Sequence, residues 1–262
     1  LQIVFLRYVL HLLLVLAINL PRHGVGLART ASFKVQALRA AMLLGATTGN
    51  FMAVRYLPLT VTGAIAFTMP LFLCALSVPL LGEQVGWRRW SAIGVGFIGI
   101  LVIVRPGTEA FHPAALLCLA AAVFSAFYFL LTRRMAAHDS AATQQFYVGL
   151  FATVLLAPIA IPFWVWPTEP SVWVAFFTVG IFGFIGHQLI TVASSFAPAS
   201  VLAPFSYLQI IFMAASSWII FNQPPDIWLY LGAPIVIASG LYIWLRERQL
   251  AKSVVTEVTT QD

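Results

Sequence analysis

The stretch "RYLPLTVTGAIAFTMPLFLCALSVPLLGEQVGWRRW", residues 55–90, has a second version 140 residues further along, "SFAPASVLAPFSYLQIIFMAASSWIIFNQPPDIWLY", residues 195–230. The two align without a gap. Tyr56-x-Pro58 falls on Phe196-x-Pro198, and the "GEQ" turn at 82–84 falls on "NQP" at 222–224. Residue identity between them is low. What repeats is the hydropathy profile and the place of each turn, the signature of a duplicated structural unit.

The surrounding composition says which solvent that unit lives in. Of 262 residues, 61% are hydrophobic and 8% are charged, against about 25% charged in an ordinary soluble domain. Apolar runs near the ~20 residues needed to cross a bilayer occur at about 3–20, 36–55, 59–81, 88–104, 114–132, 142–164, 172–194, 199–221 and 227–245. The breaks between them carry Pro, Gly or charge, and none is long enough to hold a soluble domain. Trp87, Trp90, Trp164, Trp166, Trp173, Trp228 and Trp244 crowd the run ends, as interface-seeking indoles do.

Orientation follows from Lys and Arg, which cytoplasmic loops hold in excess. Arg22, Arg29 and Lys34 follow the first run, Arg88 and Arg89 the third, Arg133 and Arg134 the fifth, and Arg246, Arg248 and Lys252 the ninth. The opposite side has only Arg7, Arg55 and Arg105, each read as a span edge. The carboxyl terminus is therefore expected in the cytoplasm. The net charge of +6 belongs to these loops and does not describe a nucleic-acid-binding face.

The 140-residue shift also lays run one on run six and run two on run seven. Run five would need a counterpart before Leu1. The expected whole is ten helices in two units of five, with a first helix of about 25 residues preceding this sequence. Five is odd, so the second unit enters from the opposite face. The expected fold is thus all-α, a polytopic membrane helix bundle built as an inverted repeat, an arrangement common in secondary transporters with a midplane site and alternating access.

The segments "LRAAMLLGATTGNFMAVRYLPLTVTGAIAFTMPLFLCALSVPLLGE" and "RRWSAIGVGFIGILVIVRPG" resemble the EamA type of the drug/metabolite transporter superfamily. The resemblance covers essentially the whole chain. It implies ten helices with both termini in the cytoplasm, a bacterial inner-membrane location, and movement of small organic solutes such as amino acids or other metabolites. On that reading residues 1–110 hold helices two to five of the first repeat, 111–250 the second repeat, and 251–262 a cytoplasmic tail. The second half departs from the family pattern at Asn222-Gln223, where members often show Gly-Glu. Any role of that acid falls to Glu83 alone.

Hydrogen-bonding side chains recur at matched depth. Gly180, Gly183, His187, Thr191 and Ser194 form one small, polar helical stripe, which should face protein or water. The shift lays His187 and Gln188 on Thr47 and Thr48, beside Asn50, and lays Leu208 and Gln209 on Thr68 and Met69, beside Phe67 and Tyr207. The substrate-binding candidates are Thr47, Asn50, Phe67, Thr68, Tyr128, His187, Gln188, Thr191, Tyr207 and Gln209. Each has a competing reading. Polar groups in a bundle can simply bond to a neighbouring helix, and aromatic rings can be core.

Structural or gating candidates are Glu83 with Arg88, a clasp where a negative charge opposes the helix dipole, and Pro70 and Pro204, which should kink their helices. His11 also lies mid-run, near Arg7. Cys74 and Cys118 have no pairing or metal-ligand spacing. No phosphate loop, HExxH, CxxC, GxSxG or acidic cluster is present in the sequence, so neither an ATP-driven pump nor an enzyme is expected, and no cofactor, metal or catalytic residue is assigned. The expected partners are a small-molecule substrate and the lipid bilayer, not nucleic acid. The reading is a carrier exporting amino-acid-like metabolites. The alternative is an uptake carrier for a larger nucleoside-type or vitamin-type compound, and a channel or structural membrane subunit is the reading from a different class. Substrate identity, direction, coupling ion and oligomeric state are not written in these residues.

Overall fold

The computed structural model describes residues 1–81, 86–105, 111–196, 208–222, 224 and 226–259. Among them there is no strand. The helices are α1 (Gln2–His23), α2 (Phe33–Ala53), α3 (Leu59–Ala66), α4 (Met69–Leu81), α5 (Trp87–Val104), α6 (Ala114–Ala136), α7 (Ala141–Ala160), α8 (Pro170–Phe196), α9 (Leu208–Ile219) and α10 (Ile227–Thr259). Each expected run holds helix. This is a polytopic helical membrane bundle. Among the described residues, α1, α6, α7, α8 and α10 carry segments long and apolar enough to cross a bilayer unaided. α2 has the length, at 21 residues, but Gln36, Arg39, Thr47 and Asn50 lower its hydropathy.

The helix ends follow local chemistry. α1 stops at Gly24, whose φ of 52° suits a residue without a Cβ, and Arg22 and His23 complement the dipole in its last turn. Ser140 caps α7 by accepting from the Thr143 amide at 3.1 Å. The expected run at 59–81 is broken at Phe67 and Thr68, immediately ahead of Pro70. Pro70 lacks an N–H and its ring would clash with the Ala66 carbonyl of a continuous helix. α3 therefore ends at Ala66, and α4 restarts with the Leu71 and Phe72 amides donating to the Thr68 carbonyl.

The described helices form two compact units. The first takes Leu1–Thr48 and Phe127–Ala197, and the second takes Gly49–Ala126 and Pro198–Asp262. Each unit draws segments from both halves of the sequence. In the first, α1 packs on α7 and α8, with a core of Val4, Tyr8, Ala40, Leu43, Tyr128 and Val148. In the second, α5 lies along α10. A Cβ on Gly99 would meet the Gly232 carbonyl oxygen at 3.0 Å, so the two backbones touch there, as small residues permit between membrane helices. Its core joins Ala64, Ile65, Phe67, Ile100, Cys118 and Val236. Arg105 ends α5 and reaches Asp226, at the start of α10, across 3.2 Å.

Candidate functional site

Five helical segments of the first unit turn polar side chains inward. On α1 these are Arg7, Tyr8 and His11, which are 8%, 1% and 2% exposed. On α2 they are Gln36, Arg39 and Thr47, spaced along one helical face. α6 adds Tyr128 and Thr132, α7 adds Gln144 and Gln145, and α8 adds His187, Gln188 and Thr191. Buried polar groups of this kind require partners, and most of them have one.

Arg7 points at Thr47. Its Nη1 donates to Thr47 Oγ1 at 3.4 Å, and its guanidinium lies 4.9 Å from the centre of the Tyr8 ring. Thr47 Oγ1 is 2.8 Å from the Tyr8 hydroxyl, which in turn is 3.4 Å from the Leu43 carbonyl oxygen. One direction satisfies all three: Arg7 donates to Thr47, Thr47 to Tyr8, and Tyr8 to Leu43. Gly183 makes room for this arginine, because a Cβ there would lie 2.6 Å from Arg7 Nε. Arg7 is thus not a span-edge cation. It is five residues into α1 and turned toward α2 and α8, where a glycine leaves the space.

Arg39 is fully buried and internally compensated. Nε donates to Gln36 Oε1 at 3.1 Å, Nη1 to Thr132 Oγ1 at 3.1 Å, Nη2 to the Gln144 carbonyl, and the guanidinium sits 5.3 Å from the Tyr128 ring centre. Gln36 Nε2 donates onward to Asp139 at 2.7 Å. Asp139, in the turn between α6 and α7, also accepts from the Ala31 amide at 2.8 Å and from the Thr30 hydroxyl. Burial pushes the Asp139 carboxyl up, but Thr30, Ala31 and Gln36 as donors, with the charge of His138, outweigh it and hold the carboxyl below its ordinary range.

The polar residues of α8 are held in part by α7. Gln145, fully buried on α7, donates through Nε2 to the His187 carbonyl at 2.8 Å and to Thr191 Oγ1 at 2.5 Å. His11 Nε2 lies 3.3 Å from the Gln145 carbonyl oxygen, and its ring meets Phe184 edge-on at 5.4 Å. The His187 ring stands perpendicular to Tyr128 at 6.0 Å. Five atoms of this wall stay unanswered: Tyr128 Oη, Gln144 Oε1, Gln145 Oε1, His187 Nδ1 and Gln188 Oε1 are buried with no hydrogen-bond partner among the described residues.

Of the expected candidates, the first unit therefore collects Thr47, Tyr128, His187, Gln188 and Thr191. Asn50, Phe67 and Thr68 belong to the second unit. Phe67 and Thr68 are buried at the α3–α4 break, with Thr68 Oγ1 lacking a partner among the described residues, and Asn50 is half-buried. Pro70 is buried in the first turn of α4, and Arg88 is exposed against the Trp87 ring, 5.6 Å from its centre. Glu83, Pro204 and Tyr207 lie outside the described residues, as does the Gln209 side chain. Arg7, Gln36, Arg39, Gln144 and Gln145 escaped the sequence reading. Helical spacing carried the signal: Gln36, Arg39, Leu43 and Thr47 step by three and four residues, and so do Arg7 and His11.

An all-helical, multi-pass membrane protein with a buried, cation-bearing polar wall is the class these features define. The EamA-like transporter family model matches residues 1–105 and 112–245, and the chain belongs to that family. It is 28% identical over 231 residues to the S-adenosylmethionine uptake transporter of Rickettsia prowazekii, covering 88% of this chain and 78% of that one. It is 33% identical over 195 residues to the riboflavin transporter of Vibrio cholerae, covering 72% of this chain and 65% of that one. One solved crystal structure has the same fold, with a TM-score of 0.68 at 20% identity, over 91% of this chain and 85% of the other. The family and its relatives bear the names of transporters, not enzymes, and their substrates are small molecules.

Proposed function

We propose that the protein is a secondary carrier that takes up a nucleoside-type or vitamin-type metabolite across the bacterial inner membrane by alternating access, with its carboxyl terminus in the cytoplasm. The observation that carries this reading is unspent polar capacity inside an apolar unit. Among the described residues His187 Nδ1 and Gln188 Oε1 on α8 are buried without partners, as are Tyr128 Oη, Gln144 Oε1 and Gln145 Oε1 on α6 and α7, while Gln145 Nε2 and Thr191 Oγ1 are engaged with each other. Unpaired polar groups in hydrocarbon cost several kcal/mol, and a polar solute is what would satisfy them. Rings of Tyr8, His11, Tyr128 and His187 in the same unit suit a flat heteroaromatic group.

The inward direction and the ring-bearing substrate rest on the names of the two relatives. The two-repeat division at residues 110 and 111, and further solute contacts at Asn50, Phe67, Thr68, Tyr207 and Gln209, come from the internal sequence match.

The test is counterflow in proteoliposomes with labelled S-adenosylmethionine and riboflavin among a metabolite panel. A carrier gives saturable uptake accelerated by unlabelled solute on the far side. Flux linear in concentration and indifferent to trans solute marks a channel and overturns the reading. Accumulation against outward-facing solute only, in sided membrane vesicles, marks export of an amino-acid-like metabolite instead.

A further inference from the structure

The two buried arginines of the first unit are not alike. Every nitrogen of Arg39 is committed, to Gln36, Thr132 and Gln144, and its charge is linked through Gln36 to Asp139. Arg7 makes one long hydrogen bond, to Thr47, and one ring contact, to Tyr8. No carboxylate pairs with it among the described residues; the first unit's acids, Asp139 and Glu169, both sit in loops. An arginine only 8% exposed as a residue, with most of its five donors unclaimed and no counter-charge among the described residues, is an expensive arrangement to keep.

From this geometry we infer that Arg7, steadied by Thr47 and Tyr8, is the recognition site for a single carboxylate on the transported solute. The inference rests on the carrier reading and narrows its substrate class. The Nε side of the guanidinium abuts Gly183 on α8, so the planar pair of N–H donors that a carboxylate accepts bidentately is the Nη1–Nη2 edge, released when Nη1 gives up Thr47. One uncommitted positive charge matches one negative charge. A phosphate monoester, at about −1.5 to −2 near neutrality, would leave excess charge in a unit whose other arginine is already spent. The His187 Nδ1 and Gln188 Oε1 atoms supply hydrogen bonding for the rest of the molecule. Thr47 is the switchable partner: its bond to Arg7 is long at 3.4 Å, and losing it to an incoming carboxylate leaves the Thr47–Tyr8 bond of 2.8 Å intact.

The test is a thermal-shift screen of the purified protein against metabolites in matched pairs, each carboxylic acid beside its amide or methyl ester, S-adenosylmethionine and its methyl ester among them. Ligands are expected to be carboxylates, with affinity falling about tenfold or more on neutralisation. Arg7→Gln is expected to erase that discrimination, Arg7→Lys to keep part of it, and Arg22→Gln, on the exposed end of α1, to keep all of it. If neutral members bind as well as acids, if no carboxylate binds, or if Arg7→Gln still discriminates, the inference fails. Wild-type discrimination tests it even where Arg7→Gln does not fold. Counterflow of the same compounds separates the two ideas. A bound acid that is not exchanged overturns the carrier reading alone, and a neutral solute exchanged equally by wild type and Arg7→Gln overturns the carboxylate site alone.

Discussion

Arg7 and Thr47 join α1 to α2, with Nη1 3.4 Å from Oγ1, and Thr47 passes the contact to the Tyr8 hydroxyl one residue along from Arg7. A single threonine thus holds both an arginine and a tyrosine of the preceding helix. Its hydroxyl accepts from a cation and donates to a phenol.

Thr47→Val keeps the shape and removes that hydroxyl. It is expected to lower stability by about 1–2 kcal/mol, the cost of stranding buried polar partners, and to weaken solute binding. Thr47→Ser should stay close to wild type. Thermal unfolding in detergent, with a binding isotherm for each variant, checks both; a Val variant as stable and as tight-binding as wild type would remove Thr47 from the account.

Gly183→Ala places a methyl 2.6 Å from Arg7 Nε, closer than atoms approach, so the arginine must move. The expected result is a folded protein whose affinity for its solute drops several-fold. Gly186→Ala is the control, since nothing lies within 4 Å of a Cβ there, and it should leave the affinity unchanged. Equal behaviour of the two variants would contradict the placement of Arg7.

Gln145 ties α7 to α8 through the His187 carbonyl and Thr191. In a double-mutant cycle, Gln145→Leu and Thr191→Val should show a coupling near 0.6 kcal/mol and no more than about 1.7, the range for such bonds between membrane helices. Strict additivity would mean that the contact carries no energy.

Asp139 predicts an acid limit on stability. Its carboxyl titrates below the ordinary range in the folded protein, so its contribution is complete above the unfolded value and disappears as pH falls through the lower, folded one. The melting temperature should therefore fall as pH drops below about 4, and Asp139→Asn should be less stable at neutral pH with a flatter acid limb. An unchanged acid limb in Asp139→Asn would assign the effect elsewhere.

Much of this fold is legible from hydropathy because crossing a bilayer demands length and apolarity together. A kink ahead of Pro70 is legible from its ring and missing N–H, but the full break at Phe67 and Thr68 is not, since Pro21, Pro158 and Pro234 lie inside continuous helices. The polar wall was half legible for a specific reason. The internal match finds positions where both halves are polar, which is how Thr47 met His187. Arg7 falls on Tyr147, Arg39 on Val179, and Gln145 on Phe5, so the match is silent about all three. Side-chain direction decided the rest: Arg7 looks like a span-edge cation until Gly183, 176 residues away in the chain, is seen to leave it space.

The central claim is that water and solute reach the wall formed by Thr47 and His187. Cysteines placed singly at 47 and 187, with Cys74 and Cys118 replaced by alanine, can be labelled with a membrane-impermeant thiol reagent with and without the transported solute. The account predicts that both positions label and that solute protects both. Two positions that never label, or that label at the same rate whether solute is present or absent, would contradict it.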